Sequence, residues 1–180
     1  VAAIGRHRAR DNRDPETSEP AEVTIRRVGY GHPDAIRLIE EVQAEYVVRY
    51  GGPDETPLDP LMFEPPAGSF FVGYADGVPV ATGAWRRSGV VALGTNRTAE
   101  IKRMYVVPAA RGRGVARLML AHLEQSAAEH GFEALVLETG INQPEAIGLY
   151  ETGGYVPVPP FGHYRDSPLS RCYARRLTRS

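Results

Sequence analysis

Cysteine is nearly absent from this sequence: Cys172 stands alone, so no disulfide can form within the chain. The histidines His7, His32, His122, His130 and His163 share no metal-ligand spacing with it or with one another, and no metal is expected. An excess of one charge is also lacking. With 21 Lys and Arg against 22 Asp and Glu, the formal net charge is −1, which argues against a chain tuned as a whole to nucleic acid or to an anionic membrane. No run approaches the ~18 apolar residues of a membrane span, and the start VAAIGRHRAR lacks the apolar stretch of about 7–15 residues that a signal peptide needs. A cytoplasmic protein in a reducing compartment is expected, with no membrane partner.

What is present suffices for one ordinary core: 180 residues, 42% of them hydrophobic. Residues 1–21 mix charges of both signs with Pro15 and Pro20 and read as a flexible arm; residues 22–180 read as a single domain. EVTIRRV alternates as a strand. A helix follows over about 33–49, with Ile36, Ile39, Val42, Tyr46 and Val47 at helical spacing, stopped by Gly51-Gly52-Pro53. The proline- and acid-rich stretch PDETPLDPLMFEPPAG reads as a loop with one short helical turn. Two strands surround Asp76-Gly77, a hairpin signal, and a third covers about 99–107 until Pro108 closes it. The spacing predicts a helix over 112–130, with an inward stripe of Val115, Leu118, Met119, Leu123 and Ala127 and with Gly131 just past its end. ALVLET reads as a buried strand completing a βαβ unit, followed by a short helix over 143–152 and strand candidates YVPV and RCYARRL.

The junction PAARGRGVAR sets a sharp glycine turn between strand and helix. The first N–H groups of a helix are unpaired and sit at the positive end of its dipole, so such a junction can hold a phosphorylated ligand. The P-loop pattern is missing, because no G-x-x-x-x-G-K-[ST] occurs. A dinucleotide fingerprint fails too, since Arg117 stands where a third glycine belongs. What matches is R-x-x-G-x-A, at Arg111, Gly114 and Ala116, directly after a strand ending in V-x-P. This resembles the pyrophosphate-binding motif of the GNAT superfamily of acyl-CoA-dependent N-acyltransferases. The likeness extends through ETGINQPEAIGLYETGGY, similar to the family's second signature.

The resemblance implies a mixed α/β fold: a mostly antiparallel sheet of six to seven strands, a central parallel pair splayed at the CoA site, and helices on both faces. It implies acetyl-CoA as co-substrate and direct transfer to a primary amine, of a small molecule or of a protein. Carried over by position, the pantetheine arm would meet the backbone of Met104, Tyr105 and Val106. The phosphates would meet Arg111, Gly112, Arg113, Gly114, Val115 and Ala116, and Asn142 would stand near the sulfur. Tyr150 takes the place of the general acid. Glu100 is the candidate base, on a strand face shared by alternation with Lys102, Met104 and Val106. Homodimerisation is a family habit. Asp54, Glu55, Asp59 and Glu64 would form either an acidic rim favouring a cationic acceptor or a solvated loop, and His163 and Tyr164 either border the acceptor or lie exposed. A non-catalytic acyl-CoA-binding regulatory module is the alternative. An RNA-binding role for RGRG lacks repetition and interleaved aromatics.

Overall fold

A computed structural model describes residues 22–178; the expected N-terminal arm lies outside the described residues. Val23–Val28 forms β1 and Pro33–Tyr50 forms α1. Strands β2 (Gly68–Ala75) and β3 (Val78–Ser88) make a hairpin, then β4 runs over Thr98–Val106. Helix α2 (Val115–Glu129) leads into β5 (Ala134–Gly140), and α3 (Pro144–Thr152) leads into β6 (Val156–Pro157) and β7 (Ser170–Arg176). The strands form one seven-stranded sheet in the order β1-β2-β3-β4-β5-β7-β6. Every pairing is antiparallel except β4 with β5.

Alternation along the strands builds a core on each face. On β2, Phe70, Val72 and Tyr74 face one way and join Ala35, Leu38 and Val42 of α1. Phe71 faces the other way, into a cluster with Trp85, Met119, Leu123 and Tyr150. Helix α1 therefore covers one face, and α2 and α3 the other. The β2–β3 turn has Asp76 at φ 49° and Gly77 at φ 76°. Positive φ at both central residues is the type I′ geometry that suits the twist of a hairpin. Gly83 is needed for space instead: a Cβ there would stand 2.7 Å from Met119 Cγ, so α2 packs directly on the β3 backbone.

Two expected faces are rotated. Ile36 and Val47 are exposed, and α1 buries Ala35, Leu38 and Val42 instead, with Ile39 and Tyr46 packed beside them. The larger side chains suggested a stripe one position off, whereas little Ala35 fits against the sheet. Leu118 likewise points to solvent, while Leu120, omitted from the expected stripe of α2, is buried. The helix ends hold as read, with Gly51 at φ 78° after α1 and Gly131 at φ 86° after α2.

Candidate active site

Strand β4 ends in a short turn, Pro108–Ala110, before the glycine junction. Gly112 (φ 75°) and Gly114 (φ 78°) are both left-handed, and a Cβ on either would meet nothing within 4 Å. Glycine is required here for the backbone's conformation, not for room. No side chain caps α2, so its leading N–H groups stay open to a ligand. Arg111 turns back across the junction: Nε donates to Val106 O (2.9 Å) and Nη2 to Glu45 Oε2 (2.7 Å), with the guanidinium 5.7 Å from the Tyr105 ring. Glu45 also accepts from Arg49 Nη2 at 2.7 Å. Desolvation opposes ionisation of Glu45, but the hydrogen bonds and charges of Arg111 and Arg49 prevail, holding its carboxyl below the usual range. Arg117 lines the same cleft and donates to Thr152 Oγ1 (3.1 Å).

The parallel ladder is short. Strands β4 and β5 pair at Thr98, Ala99 and Glu100 with Ala134, Leu135 and Val136, and then part. From the parting a cleft of about 840 Å³ runs to the glycine junction. Met104, Tyr105, Val106, Arg111, Gly112, Gly114, Val115, Ala116 and Tyr150 all line it. Arg113 is exposed and does not. Asn142 is also off the cleft: its Nδ2 donates to Arg49 O (3.0 Å) and its own carbonyl accepts from Arg49 Nη1 (2.8 Å). It fastens the end of α1 to the β5–α3 loop.

Alternation fails in β4. Between Thr82 and Ala84 the β3–β4 register slips, with an additional residue on β4, and Arg103 adopts φ 55°. Such a bulge inverts the facing of everything beyond it. Ile101 thus packs toward α2, Tyr105 packs toward α1, and Met104 and Val106 rejoin the α2 side. The expected common face of Glu100, Lys102, Met104 and Val106 does not exist. Glu100 is buried and off the cleft, its Oε2 accepting from Arg86 Nη2 (2.9 Å) and its Oε1 2.8 Å from Lys102 Nζ.

Of the carboxylates that line the cleft, Glu45, Asp54 and Glu145 are held by arginines, Glu55 is exposed, and Glu138 on β5 is the one whose pKa is raised. Its pKa is raised to about 7, first by burial and then by Glu100 and Asp54, against the pull of Lys102. Sequence reasoning passed over it, although an acid within the apolar run ALVLET was a signal. Tyr150 is enclosed, and burial, with Tyr46 nearby, raises its hydroxyl pKa well above the ordinary value. Asp54 points inward: it takes Arg103 Nη1 (2.8 Å) on Oδ2, and on Oδ1 the Thr56 hydroxyl (2.6 Å) and Tyr164 hydroxyl (3.2 Å). Asp59 caps Leu61 N (2.9 Å) and Glu64 pairs with Arg27 (3.4 Å). Glu55 lines the cleft and is exposed, its N–H donating to Tyr164 OH (2.8 Å), so Asp54 and Glu55 alone of the four reach the cleft and no continuous acidic row rims it. Tyr164 lines the cleft and His163 does not. Cys172 is buried, and burial raises its thiol pKa. No group of three or more His, Cys, Asp or Glu fit to hold a metal occurs among the described residues, and no described helix is long and apolar enough to cross a membrane.

Comparison with known proteins accords with this geometry. The family model described as Acetyltransferase (GNAT) family matches residues 37–155. An IAA acetyltransferase of Azospirillum brasilense is 35% identical over 149 residues, 82% of this chain and 94% of that protein. An uncharacterized N-acetyltransferase of Escherichia coli is 32% identical over 132 residues, 69% of this chain and 75% of its own length. A crystal structure from Klebsiella pneumoniae, assigned to the acyl-CoA N-acyltransferases, superposes with a TM-score of 0.71 at 29% identity, covering 88% of this chain and 99% of that one. The chain belongs to the acetyltransferase (GNAT) family and is an N-acetyltransferase.

Proposed function

We propose that the protein transfers an acetyl group from acetyl-CoA directly to a primary amine, with Glu138 as base and Tyr150 as acid. The observation that carries this reading is the single cleft joining the uncapped α2 N-terminus to the parting of β4 and β5, with Glu138 and Tyr150 on its walls. A phosphorylated, linear donor fits these features: left-handed Gly112 and Gly114 expose backbone for phosphate, and β4 past Glu100 lacks a neighbour on its β5 side. Arg111, Gly112, Gly114, Val115 and Ala116, with the backbone of Met104, Tyr105 and Val106, would hold it. Bound CoA supplies an activated thioester.

The chain's own groups supply the rest. Glu138, near half-ionised at neutral pH, accepts the proton the amine sheds on forming the amide. Tyr150, kept protonated by burial, donates to the sulfur as the carbon–sulfur bond breaks. The Val106 N–H is the candidate donor to the carbonyl oxygen. Glu100 acts at one remove, its charge helping to raise the pKa of Glu138 and its carboxylate holding Lys102.

The test is thiol release from acetyl-CoA over an amine panel, with acetyl-CoA binding measured by calorimetry. Turnover with any amine, lost in Glu138→Gln, is expected. Binding without turnover by any amine would instead favour a regulatory acyl-CoA sensor, and no binding would remove both readings.

A further inference from the structure

We propose that the acceptor amine carries a carboxylate, and that Arg103, beside Lys102 at the inner end of the cleft, receives it. This deepens the transferase reading above and rests on it. Both residues line the cleft and are deeply enclosed, with side chains 5% and 13% exposed. Lys102 is the one lysine of the whole sequence. Arg103 stands on the β4 bulge at φ 55°, a conformation that costs a branched or long side chain free energy and that marks functional positions when it persists.

The guanidinium there is under-satisfied. It carries five N–H donors, yet among the described residues its one hydrogen bond runs from Nη1 to Asp54 Oδ2 at 2.8 Å, and Nε is enclosed with no partner. Asp54 meets it through Oδ2 alone, its other oxygen being taken up by Thr56 N (2.9 Å), Thr56 Oγ1 (2.6 Å) and Tyr164 OH (3.2 Å). An enclosed cation with unmet donors gains from a second anion, and a planar guanidinium suits a carboxylate.

Charge at this end points the same way. Among the enclosed groups here Arg86, Lys102 and Arg103 are positive and Glu100 and Asp54 are their paired negatives, while Glu55, next to Asp54, is exposed to solvent and screened. Glu138 supplies a third negative charge only when ionised, and as base it becomes neutral during transfer. A carboxylate on the acceptor then restores neutrality around the enclosed cations. A second ammonium, as in a polyamine, would add to an excess of positive charge in a partly desolvated space.

The experiment follows thiol release by wild-type protein with the standard L-amino acids and short ω-amino acids, each beside its amide. At least one acid should exceed its amide by about tenfold or more in kcat/KM, the span of a charged hydrogen bond. In Arg103→Gln that preference should collapse through KM for the acid, while acetyl-CoA binding, measured by calorimetry, stays intact. Lys102→Met should weaken the preference with no demand on the bulge. Amides or unsubstituted amines used as well as the acids would overturn the inference and leave the transferase standing. Failure of every amine to react, with acetyl-CoA bound, would overturn the transferase reading and this inference with it. Should Arg103→Gln not fold, the acid-to-amide ratio of the wild type alone decides.

Discussion

Glu100 and Glu138 lie on adjoining strands and differ in everything that sets a carboxylate's task. Glu100 has a cation on each oxygen, at 2.9 and 2.8 Å, and is closed off from the cleft. Glu138 faces the cleft with its pKa raised to about 7. Glu138→Gln should lower kcat by about 10²–10⁴, and the ascending limb near pH 7 in the kcat/KM profile should vanish, leaving only the limb of the amine itself. The same substitution has a stability signature. Between the ordinary carboxyl value of 4.5 and about 7 the folded state holds more protons at this site than the unfolded chain, so stability falls as pH rises through that window. Relative to Glu138→Gln, the wild type should therefore lose stability from pH 5 to pH 8 in urea titrations. Tyr150→Phe keeps the buried ring and removes the proton donor, so kcat should fall by on the order of 10² with acetyl-CoA affinity unchanged by calorimetry. A fall in affinity instead would make Tyr150 a packing residue.

Strand β4 explains what could and could not be read from residues in order. The hairpin at Asp76-Gly77, the glycine junction and the helix ends were legible, because each is fixed by a few adjacent residues with restricted φ. So was the order of elements. The bulge at Arg103 was not, since Arg is not a residue that announces φ 55°, and the error then passed to every position after it. The site's electrostatics were hidden for a different reason. Arg103 meets Asp54 across 49 residues, and Tyr164 meets Asp54 across 110, separations over which periodicity carries no information. The same backbone argument makes a prediction for the glycine turn. Gly114→Ala forces a Cβ into a left-handed position and should cost about 1–2 kcal/mol in unfolding free energy. Gly83→Val tests packing: the added atoms meet Met119 and Leu123, and a loss of about 1–3 kcal/mol is expected in the same assay.

At the scale of the molecule, α1 spans the division in the sheet. Its last two turns hold both sides: Arg49 bonds Asn142 O (2.8 Å), Tyr50 OH accepts from Gln143 (3.2 Å), and Glu45 holds Arg111 (2.7 Å). A donor bound between β4 and β5 touches the folded state alone, so saturating acetyl-CoA at about 100 times its Kd should stabilise the protein by about 2.7 kcal/mol, read as a rise in Tm. Gly114→Ala should reduce that rise. The parting of the strands has one more consequence. It places an edge inside a sheet, where unpaired backbone would ordinarily recruit another strand and seed aggregation. Here that edge opens into a cleft bridged by the end of α1, a slot rather than an open border for a foreign β-strand. On the reading proposed above, a slender thread whose amides take the place of the missing neighbour would suit the slot, and donors would be sorted by cross-section before any group on them is recognised.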